Sequence, residues 1–308
     1  MTKTAETTNR SILTTQAAGN GDIQDLGRLI VHCADQPGII AAISQFLRTY
    51  DVNIVESDQT TTNPEGGHFF LRLVFHRKAL SVIVEDLRRD FAALVAGPLQ
   101  IDEWQITEVA APKRVAVMVS RYDHCLLDLL WRWRRGELPI DIGLVISNHA
   151  DLAAQVRSFG VPFVHIPVSR DGKVQAEQQQ LQLLSGNFDL VVMARYMQIL
   201  SDDFLREVGC PVINIHHSFL PAFMGAAPYQ QAKQRGVKLV GATAHYATAD
   251  LDEGPIIEQD VIRVSHRDDA ATLQRKGADV ERSVLLRAVQ WHCEDRVVRL
   301  GNTTVVFS

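Results

Sequence analysis

Short apolar runs alternate with helical stretches through the middle of this 308-residue chain. The runs occupy residues 114–120, 142–147, 163–166, 190–194 and 212–216. Strands that alternate with helices join into a parallel sheet, because each helix crosses a face of the sheet before the next strand begins. Later patterns predict strands and one long helix, at residues 239–246, 256–264 and 303–307 and at residues 272–296. We therefore predict a doubly wound, mostly parallel-sheet α/β domain over residues 114–308.

The first part of the chain has a different order of elements. A strand, a helix, two strands, a helix and a strand are predicted at residues 29–34, 39–47, 52–55, 69–75, 80–95 and 99–106. This βαββαβ order is the split, ferredoxin-like arrangement. We assign it to residues 26–108. A flexible leader is expected at 1–25, where apolar periodicity is missing, and a linker at 109–113, which has the composition of one.

Composition argues against several kinds of partner. No run approaches the roughly 18 apolar residues that cross a bilayer, so no membrane partner is expected. The net charge is −5 and the basic residues are scattered, which disfavours nucleic acid. The cysteines are far apart, as expected for reduced thiols with packing roles in the cytoplasm, namely Cys33, Cys125, Cys210 and Cys293.

Polar residues cluster in and after the last of the alternating runs. Asn214 and His216 are two apart on a predicted strand, so their side chains project to the same face. Open α/β sheets bind ligands at the carboxyl ends of their strands, and Asp252 lies in a turn-rich loop that can reach over that end. With His245, these groups suit the stabilisation of an oxyanion. The alternative is that each residue is a turn former or a hydrogen-bonded packing residue.

The spacing of these residues resembles that of the folate-dependent formyltransferases and formyl hydrolases. The matching motifs are Asn214-Ile215-His216-His217-Ser218-Phe219-Leu220-Pro221, Gly241-Ala242-Thr243-Ala244-His245 and Asp252-Glu253-Gly254-Pro255-Ile256-Ile257. Residues 119–126, 145–149, 193–200 and 241–246 are similar to the formyltetrahydrofolate deformylases in particular, so the resemblance covers about residues 26–308. It implies a hydrolase of one-carbon and purine metabolism whose substrate is 10-formyltetrahydrofolate and which uses no cofactor or metal.

The resemblance also implies roles for the polar residues. Asn214 would donate its amide N–H to the oxyanion, and His216 would share that load. Asp252 would favour protonated His216 or would orient and deprotonate the water. His245 would position Asp252 or the water, with a packing role as the alternative.

The resemblance places the pterin against the segment that ends the 190–194 strand. The expected contacts are Met193, Ala194, Arg195, Tyr196, Met197, Ile199 and Leu200. Core packing is the alternative for the Met and Leu residues, and a surface salt bridge is the alternative for Arg195. Met224 and Ala227 stand where many relatives carry lysine, so a cationic contact to the folate tail is expected to be missing.

The loop after the first strand of the α/β domain helps to choose the acceptor. It runs from Ser120 to His124 without a glycine, so it lacks the backbone cradle that holds a phosphate in the ribonucleotide formyltransferases. Water is therefore the expected acceptor. The alternatives are transfer to a small amine, a metallohydrolase built on His216, His217, His245 and Asp252, and a regulator whose catalytic domain is inert.

The turn after the first strand, Asp35-Gln36-Pro37-Gly38-Ile39-Ile40, is similar to that of the ACT domains, a family of amino-acid-sensing modules. The resemblance implies an amino-acid effector whose carboxylate lies at a helix amino terminus, near Asp35, Gly38, Ile39 and Asn53. The alternative is a module that only dimerises through its sheet edge. A homo-oligomer is expected in either case.

Overall fold

A computed structural model describes residues 23–221 and 228–307. Residues 1–22 of the expected leader, together with Met224 and Ala227, lie outside the described residues. The chain divides into two compact units, one up to Ala111 and one over Pro112–Val306. No helix within the described ranges is both long and apolar enough to cross a membrane.

The amino-terminal unit has the predicted βαββαβ order. Its elements are β1 (Leu26–Ala34), α1 (Ile39–Thr49), β2 (Asn53–Thr61), β3 (His68–His76), α2 (Leu80–Phe91) and β4 (Glu103–Glu108). The strands form a sheet in the order β2-β3-β1-β4, with antiparallel neighbours. Helix α1 buries Ile39, Ile43, Phe46 and Leu47, which recur at helical spacing along one face. These residues share one core with buried residues of α2 and of the strands, so both helices pack against the same side of the sheet. The ferredoxin-like arrangement is confirmed.

Two boundaries of this unit differ from the sequence prediction. Residues Ile23–Asp25 form a 3-10 turn, and the Asp25 side chain accepts a hydrogen bond from the Ala79 backbone N–H at 2.7 Å. Helix α2 continues through a π-helical turn (Ala92–Ala96) and one further turn (Gly97–Leu99), and Gln100 then adopts a left-handed conformation with φ 53°. The strand predicted from residue 99 therefore begins at Glu103.

The carboxy-terminal unit alternates strands and helices as predicted. Its elements are β5 (Lys113–Val119), α3 (His124–Arg134), β6 (Ile140–Ser147), α4 (Ala153–Ser158), β7 (Phe163–His165), α5 (Lys173–Leu184), β8 (Leu190–Met193), α6 (Asp202–Glu207), β9 (Val212–His216), α7 (Pro228–Arg235), β10 (Leu239–Tyr246), β11 (Ile256–Arg263), α8 (Ala270–Cys293), β12 (Val297–Leu300) and β13 (Thr303–Val306). Strand β5 starts at the last residue of the expected linker.

The main sheet has the order β11-β10-β9-β8-β5-β6-β7. Strands β5 to β9 are parallel, whereas β10 runs antiparallel to both β9 and β11. The chain first moves from β5 towards β7 and then returns to the other side of β5 to form β8 and β9. This reversal makes the gap between β5 and β8 the topological switch point of the sheet. The doubly wound, mostly parallel fold is thus confirmed.

Strand β5 is buried on both faces, which explains its unbroken apolar run. Val115, Val117 and Val119 pack in the cluster that contains residues of α3 and α8, whereas Ala116 and Met118 pack in the cluster that contains residues of α5 and α6. Because the sheet is covered on both faces, its strand ends are the places where polar side chains can form a site.

Candidate active site

Strand β9 carries the first two predicted catalytic residues. Asn214 and His216 are two apart, so they project to the same face, and His216 is buried while Asn214 is half-buried. The strand lies between parallel β8 and antiparallel β10. The amide and the imidazole therefore lie side by side where the parallel part of the sheet ends.

Strand β10 brings His245 directly opposite Asn214. The His245 Nδ1–H donates to the Tyr246 carbonyl oxygen at 3.0 Å, which leaves Nε2 as an acceptor for the Asn214 Nδ2 amide at 3.1 Å. Burial lowers the pKa of His245 by more than the hydrogen bond to Tyr246 and the charge of Asp252 raise it, so the neutral ring is favoured. A neutral His245 therefore fixes the orientation of the Asn214 amide. The second N–H of that amide takes no part in this hydrogen bond.

Asp252 lies in the loop between β10 and β11, in a left-handed conformation with φ 59°. Its Oδ1 atom is 3.1 Å from His216 Nδ1 and 3.7 Å from His245 Nε2. Burial raises the pKa of Asp252, but the hydrogen bond from His216 and the nearby histidines outweigh it, so the pKa is below its ordinary value. The opposite ring nitrogen, His216 Nε2, is buried and has no hydrogen-bond partner. The four predicted catalytic residues are thus brought together, and one ring nitrogen among them makes no hydrogen bond within the protein.

A cavity of about 400 Å³ lies against these residues. Its wall includes every residue of the predicted pterin-binding segment except Ala194. Ala194 directly follows β8, and its side chain packs in the hydrophobic core, so only its backbone is available for the predicted contact. Gln198, which the sequence analysis omitted, also lines the cavity, as do Leu205, Ala247, Thr248 and Leu251.

The predicted pterin-binding segment is fixed by polar residues of α5 that were not predicted from the sequence. The Gln180 amide donates to the Tyr196 hydroxyl at 2.7 Å, and Glu177 accepts from both the backbone N–H and the hydroxyl of Ser201. The available signal was that Glu177 and Gln180 are three apart on the helix face that also carries Ala176 and Leu184. Arg195 and Met197, with φ 64° and 61°, need such support because L-residues rarely adopt this conformation.

Arg195 does not form a surface salt bridge. Its side chain is 5% exposed, its Nε atom is 3.5 Å from Glu281 Oε2, and its guanidinium lies over the Tyr122 ring at 4.6 Å. Glu281 also accepts hydrogen bonds from His124 Nε2 and the Tyr229 hydroxyl, each at 2.8 Å. The sequence signal for Glu281 was a lone carboxylate on the otherwise apolar face of α8.

The described residues include one group of three potential metal ligands with mutually close donor atoms, and it consists of His124, Cys125 and Glu281. The set considered for a metallohydrolase, which comprises His216, His217, His245 and Asp252, does not form such a group there. Burial raises the pKa of the Cys125 thiol well above its ordinary value, and Arg195 approaches Glu281. A protonated thiol beside a cation is a poor metal site.

The expected effector residues of the amino-terminal unit are only partly brought together. Gly38, with φ 96°, precedes α1, and Asp35 accepts a hydrogen bond from the Thr61 hydroxyl at 2.8 Å. Ile39 is buried in the core, so it can offer a ligand only its backbone. Asn53 pairs with His76, and His76 pairs with Leu26, the first residue of β1. Asn53 therefore lies at the end of the sheet where β1 begins, whereas Asp35 follows the last residue of β1. The register therefore separates Asn53 from the other three residues, and its assignment is wrong.

All four cysteines have free thiols, and Cys33, Cys125 and Cys293 are buried. Desolvation raises the pKa of Cys33, Cys125 and Cys210, so these thiols stay protonated. Protonated buried thiols behave as small apolar groups, as the sequence analysis expects for packing residues.

Two family models match the chain. A formyl transferase model matches residues 113–289, and an ACT domain model matches residues 27–92. Both domains expected from the resemblance are thereby confirmed.

Proteins similar to this chain include named relatives and solved structures. A formyltetrahydrofolate deformylase from Mycobacterium tuberculosis is 62% identical over 283 residues, which cover 92% of this chain and 91% of the relative. The crystal structure of a formyltetrahydrofolate deformylase from Pseudomonas syringae has a TM-score of 0.90 at 45% identity, and the match covers 97% of this chain and 99% of that chain. Glycinamide ribonucleotide transformylase 1 from Symbiobacterium toebii, with a TM-score of 0.59 and 31% identity, covers 64% of this chain and 95% of its own.

Proposed function

Because this chain belongs to the formyltetrahydrofolate deformylase family, we propose that it is a hydrolase that converts 10-formyltetrahydrofolate and water into formate and tetrahydrofolate. The observation that carries the proposal is the convergence of Asn214, His216, His245 and Asp252 beside one cavity. An amide, an imidazole and a carboxylate are the groups that such a hydrolysis needs, since it forms an oxyanion and moves a proton.

Asn214 is proposed to stabilise the oxyanion. One of its amide N–H groups is held by His245 Nε2, which leaves the other to bind the negative oxygen that forms when water attacks the formyl carbon. A donor already fixed in this way needs no reorganisation during the reaction, and such contacts contribute about 3 to 4 kcal/mol to lowering the barrier.

His216 is proposed to move the proton. With Nδ1–H donated to Asp252, the free Nε2 atom accepts a proton from the attacking water as its oxygen bonds to the formyl carbon. The ionised Asp252 stabilises the resulting imidazolium, which then gives the proton to the folate nitrogen as the carbon–nitrogen bond breaks. In the other order of events, Asp252 itself takes the first proton from the water, and a His216 ring that is already protonated donates its Nε2–H to the oxyanion.

The cavity wall suits a flat heterocycle with polar edges. Met197 and Ile199 expose apolar side chains there, with 50% and 55% of their surface accessible, while Arg195 and Gln198 belong to the same wall. Apolar faces and a few fixed polar groups are the usual lining of a small-molecule site. We assign the pterin to this wall, with Met193, Arg195, Tyr196, Met197, Ile199 and Leu200.

The deciding experiment measures formate in buffer free of amines. Purified protein given 10-formyltetrahydrofolate is expected to release formate and tetrahydrofolate in equal amounts. Strict dependence on an added amine would instead identify a formyltransferase. If neither product forms while an amino acid still binds, the chain is a regulator with an inert catalytic domain.

The amino-terminal unit is proposed to hold an amino-acid effector at the start of α1. Gly38 provides no side-chain cap, so the first backbone N–H groups of the helix are available to a carboxylate near Asp35 and Ile39. Isothermal titration with each common amino acid tests this. We further propose a homo-oligomer that works in the cytoplasm, in line with the free thiols, and a reaction that needs neither cofactor nor metal.

A further inference from the structure

The switch point between β5 and β8 is where an open α/β sheet usually binds a ligand. Here the loops that leave these strands are joined directly, because the Ser120 backbone N–H donates to the Arg195 carbonyl at 3.2 Å. The cavity assigned to the folate lies instead against the ends of β8, β9 and β10. A second substrate would therefore have to approach the formyl group from the β5 side.

That side is filled by five side chains, which we call the switch-point cluster: Tyr122, His124, Arg195, Tyr229 and Glu281. Glu281 is at its centre and is 1% exposed. It accepts hydrogen bonds from His124 and Tyr229 and forms an ion pair with Arg195. Tyr122 covers Arg195 from outside and is 40% exposed. The packing is so close that a Cβ atom on Gly277 would lie 1.8 Å from the Tyr229 hydroxyl, which accounts for a glycine inside α8.

The cluster also lies beside a helix end that would suit an anionic acceptor. His124 is the first residue of α3, and the Glu281 carboxylate lies 2.8 Å from its ring. A helix amino terminus attracts negative charge and is where phosphates bind in this class of sheet. The His124 hydrogen bond and Arg195 keep the pKa of Glu281 below its ordinary value despite burial, so a fixed negative charge lies beside this helix end.

The cluster adjoins the reacting groups through His217. The His217 ring lies 5.2 Å from that of His216 and 6.0 Å from that of Tyr229, and it lines the folate cavity together with Arg195. Burial and Arg195 lower the pKa of His217 to about 4, so its ring is neutral near pH 7. The folate side is therefore separated from the β5 side by an uncharged ring backed by the cluster.

We propose that the switch-point cluster determines acceptor specificity by filling the second-substrate position, so that water reaches the formyl carbon and an amine does not. This inference rests on the proposed hydrolysis. It gives Tyr122 and Arg195 a role in excluding amines that is separate from the chemistry of Asn214, His216 and Asp252.

The test measures how the formyl group is divided between water and an amine. Wild-type protein, Tyr122→Ala, Arg195→Ala and the double variant are each given 10-formyltetrahydrofolate with hydroxylamine or glycinamide, and formate and the N-formyl product are both quantified. Arg134→Ala and Trp131→Ala are matched controls, since Arg134 lies over the Phe159 ring at 5.7 Å and Trp131 is an exposed aromatic of α3. Thermal melting establishes which variants fold.

We expect the wild type and the controls to form almost no N-formyl product. In Tyr122→Ala, Arg195→Ala and the double variant, the ratio of N-formyl product to formate is expected to rise at least tenfold. Arg195→Ala leaves Glu281 with one fewer partner, so this variant is expected to melt at a lower temperature. Tyr122→Ala keeps the ion pair between Arg195 and Glu281. If Arg195→Ala does not fold, Tyr122→Ala decides the test. An unchanged ratio in a folded variant overturns the inference, as does folded Tyr122→Ala without turnover, since Tyr122 lies outside the cavity wall assigned to the folate. Inhibition of the wild type by inorganic phosphate that Arg195→Ala abolishes also overturns it, because the crevice is then open to an anion. Absence of formate from the wild type would contradict the proposed function instead.

Discussion

At the scale of single residues, the site depends on one neutral histidine and one ionised carboxylate. Burial keeps His245 neutral, so it accepts the Asn214 amide, and the neighbouring histidines keep Asp252 charged, so it accepts from His216. Each polar partner is thus fixed in one hydrogen-bonding role. Roles fixed before the substrate arrives are the usual source of electrostatic catalysis.

Replacing Asn214 tests the oxyanion assignment. Asn214→Ala is expected to lower kcat about 10²- to 10³-fold with little change in KM, because the lost contact forms mainly in the transition state. Initial rates of formate release measure both constants, and Asn187→Ala, which removes an exposed amide bonded to backbone carbonyls, is the control. A kcat within twofold of wild type would remove Asn214 from the mechanism.

Replacing Asp252 tests the orientation of His216. Asp252→Asn keeps the size of the side chain but removes the charge that stabilises the imidazolium, so kcat is expected to fall about 10²- to 10⁴-fold. The pH–rate profile of kcat is expected to change shape as well, since the carboxylate no longer influences the His216 ring. A variant with unchanged kcat and profile would show that Asp252 has only a structural role.

At the scale of elements, the site depends on the segment between β8 and α6 being held from α5. Ser201 is the junction, because its hydroxyl caps α6 by accepting from the Phe204 N–H at 3.1 Å while it also donates to Glu177. The same residue therefore ends the pterin-binding segment and starts the next helix. Stability and substrate affinity should be coupled there.

Ser201→Ala is expected to lower the free energy of unfolding by about 1 to 3 kcal/mol, from the lost cap and a buried carboxylate with fewer partners. KM is expected to rise more than kcat falls, because the altered segment is proposed to contact the pterin and not the reacting atoms. Denaturant unfolding and steady-state kinetics measure these effects, and Ser158→Ala, at the exposed end of α4, is the control. Loss of stability with an unchanged KM would separate the segment from the substrate.

The sequence predicted the elements better than their pairing. Apolar period identified the strands around Asn214 and His245, but it could not give the antiparallel direction of β10, which depends on tertiary packing and places His245 opposite Asn214. Asn53 was misplaced for a related reason, since only the register of β2 on β3 shows which end of the sheet it occupies. Glu281 was missed because a carboxylate on an apolar helix face becomes informative only when its partners, far away in sequence, are known.

At the scale of the whole molecule, two histidines make the carboxy-terminal unit sensitive to acid. Desolvation and Lys113 lower the pKa of His292 to about 3, and the pKa of His217 is lowered to about 4, from an ordinary value of 6.5. Between pH 6.5 and about 4 the unfolded chain binds protons that the folded chain does not. The free energy of unfolding therefore falls as the pH falls through this window.

His292→Gln tests this pH dependence. Each such histidine contributes a slope of up to about 1.4 kcal/mol per pH unit, so the variant is expected to lose stability less steeply than the wild type between pH 6.5 and 4. Urea unfolding at half-unit pH steps measures the slope, with exposed His266→Gln as the control. Parallel curves for wild type and His292→Gln would contradict the argument.

The unpartnered Nε2 atom of His216 has a consequence for the lifetime of the protein. This nitrogen makes no hydrogen bond within the protein, so a ligand can bind it without breaking a contact of the fold. A folate that hydrogen-bonds it favours the native state by mass action. Scarcity of folate should therefore expose the chain to proteolysis, and abundance should protect it, which links the amount of enzyme to the supply of the compound it consumes.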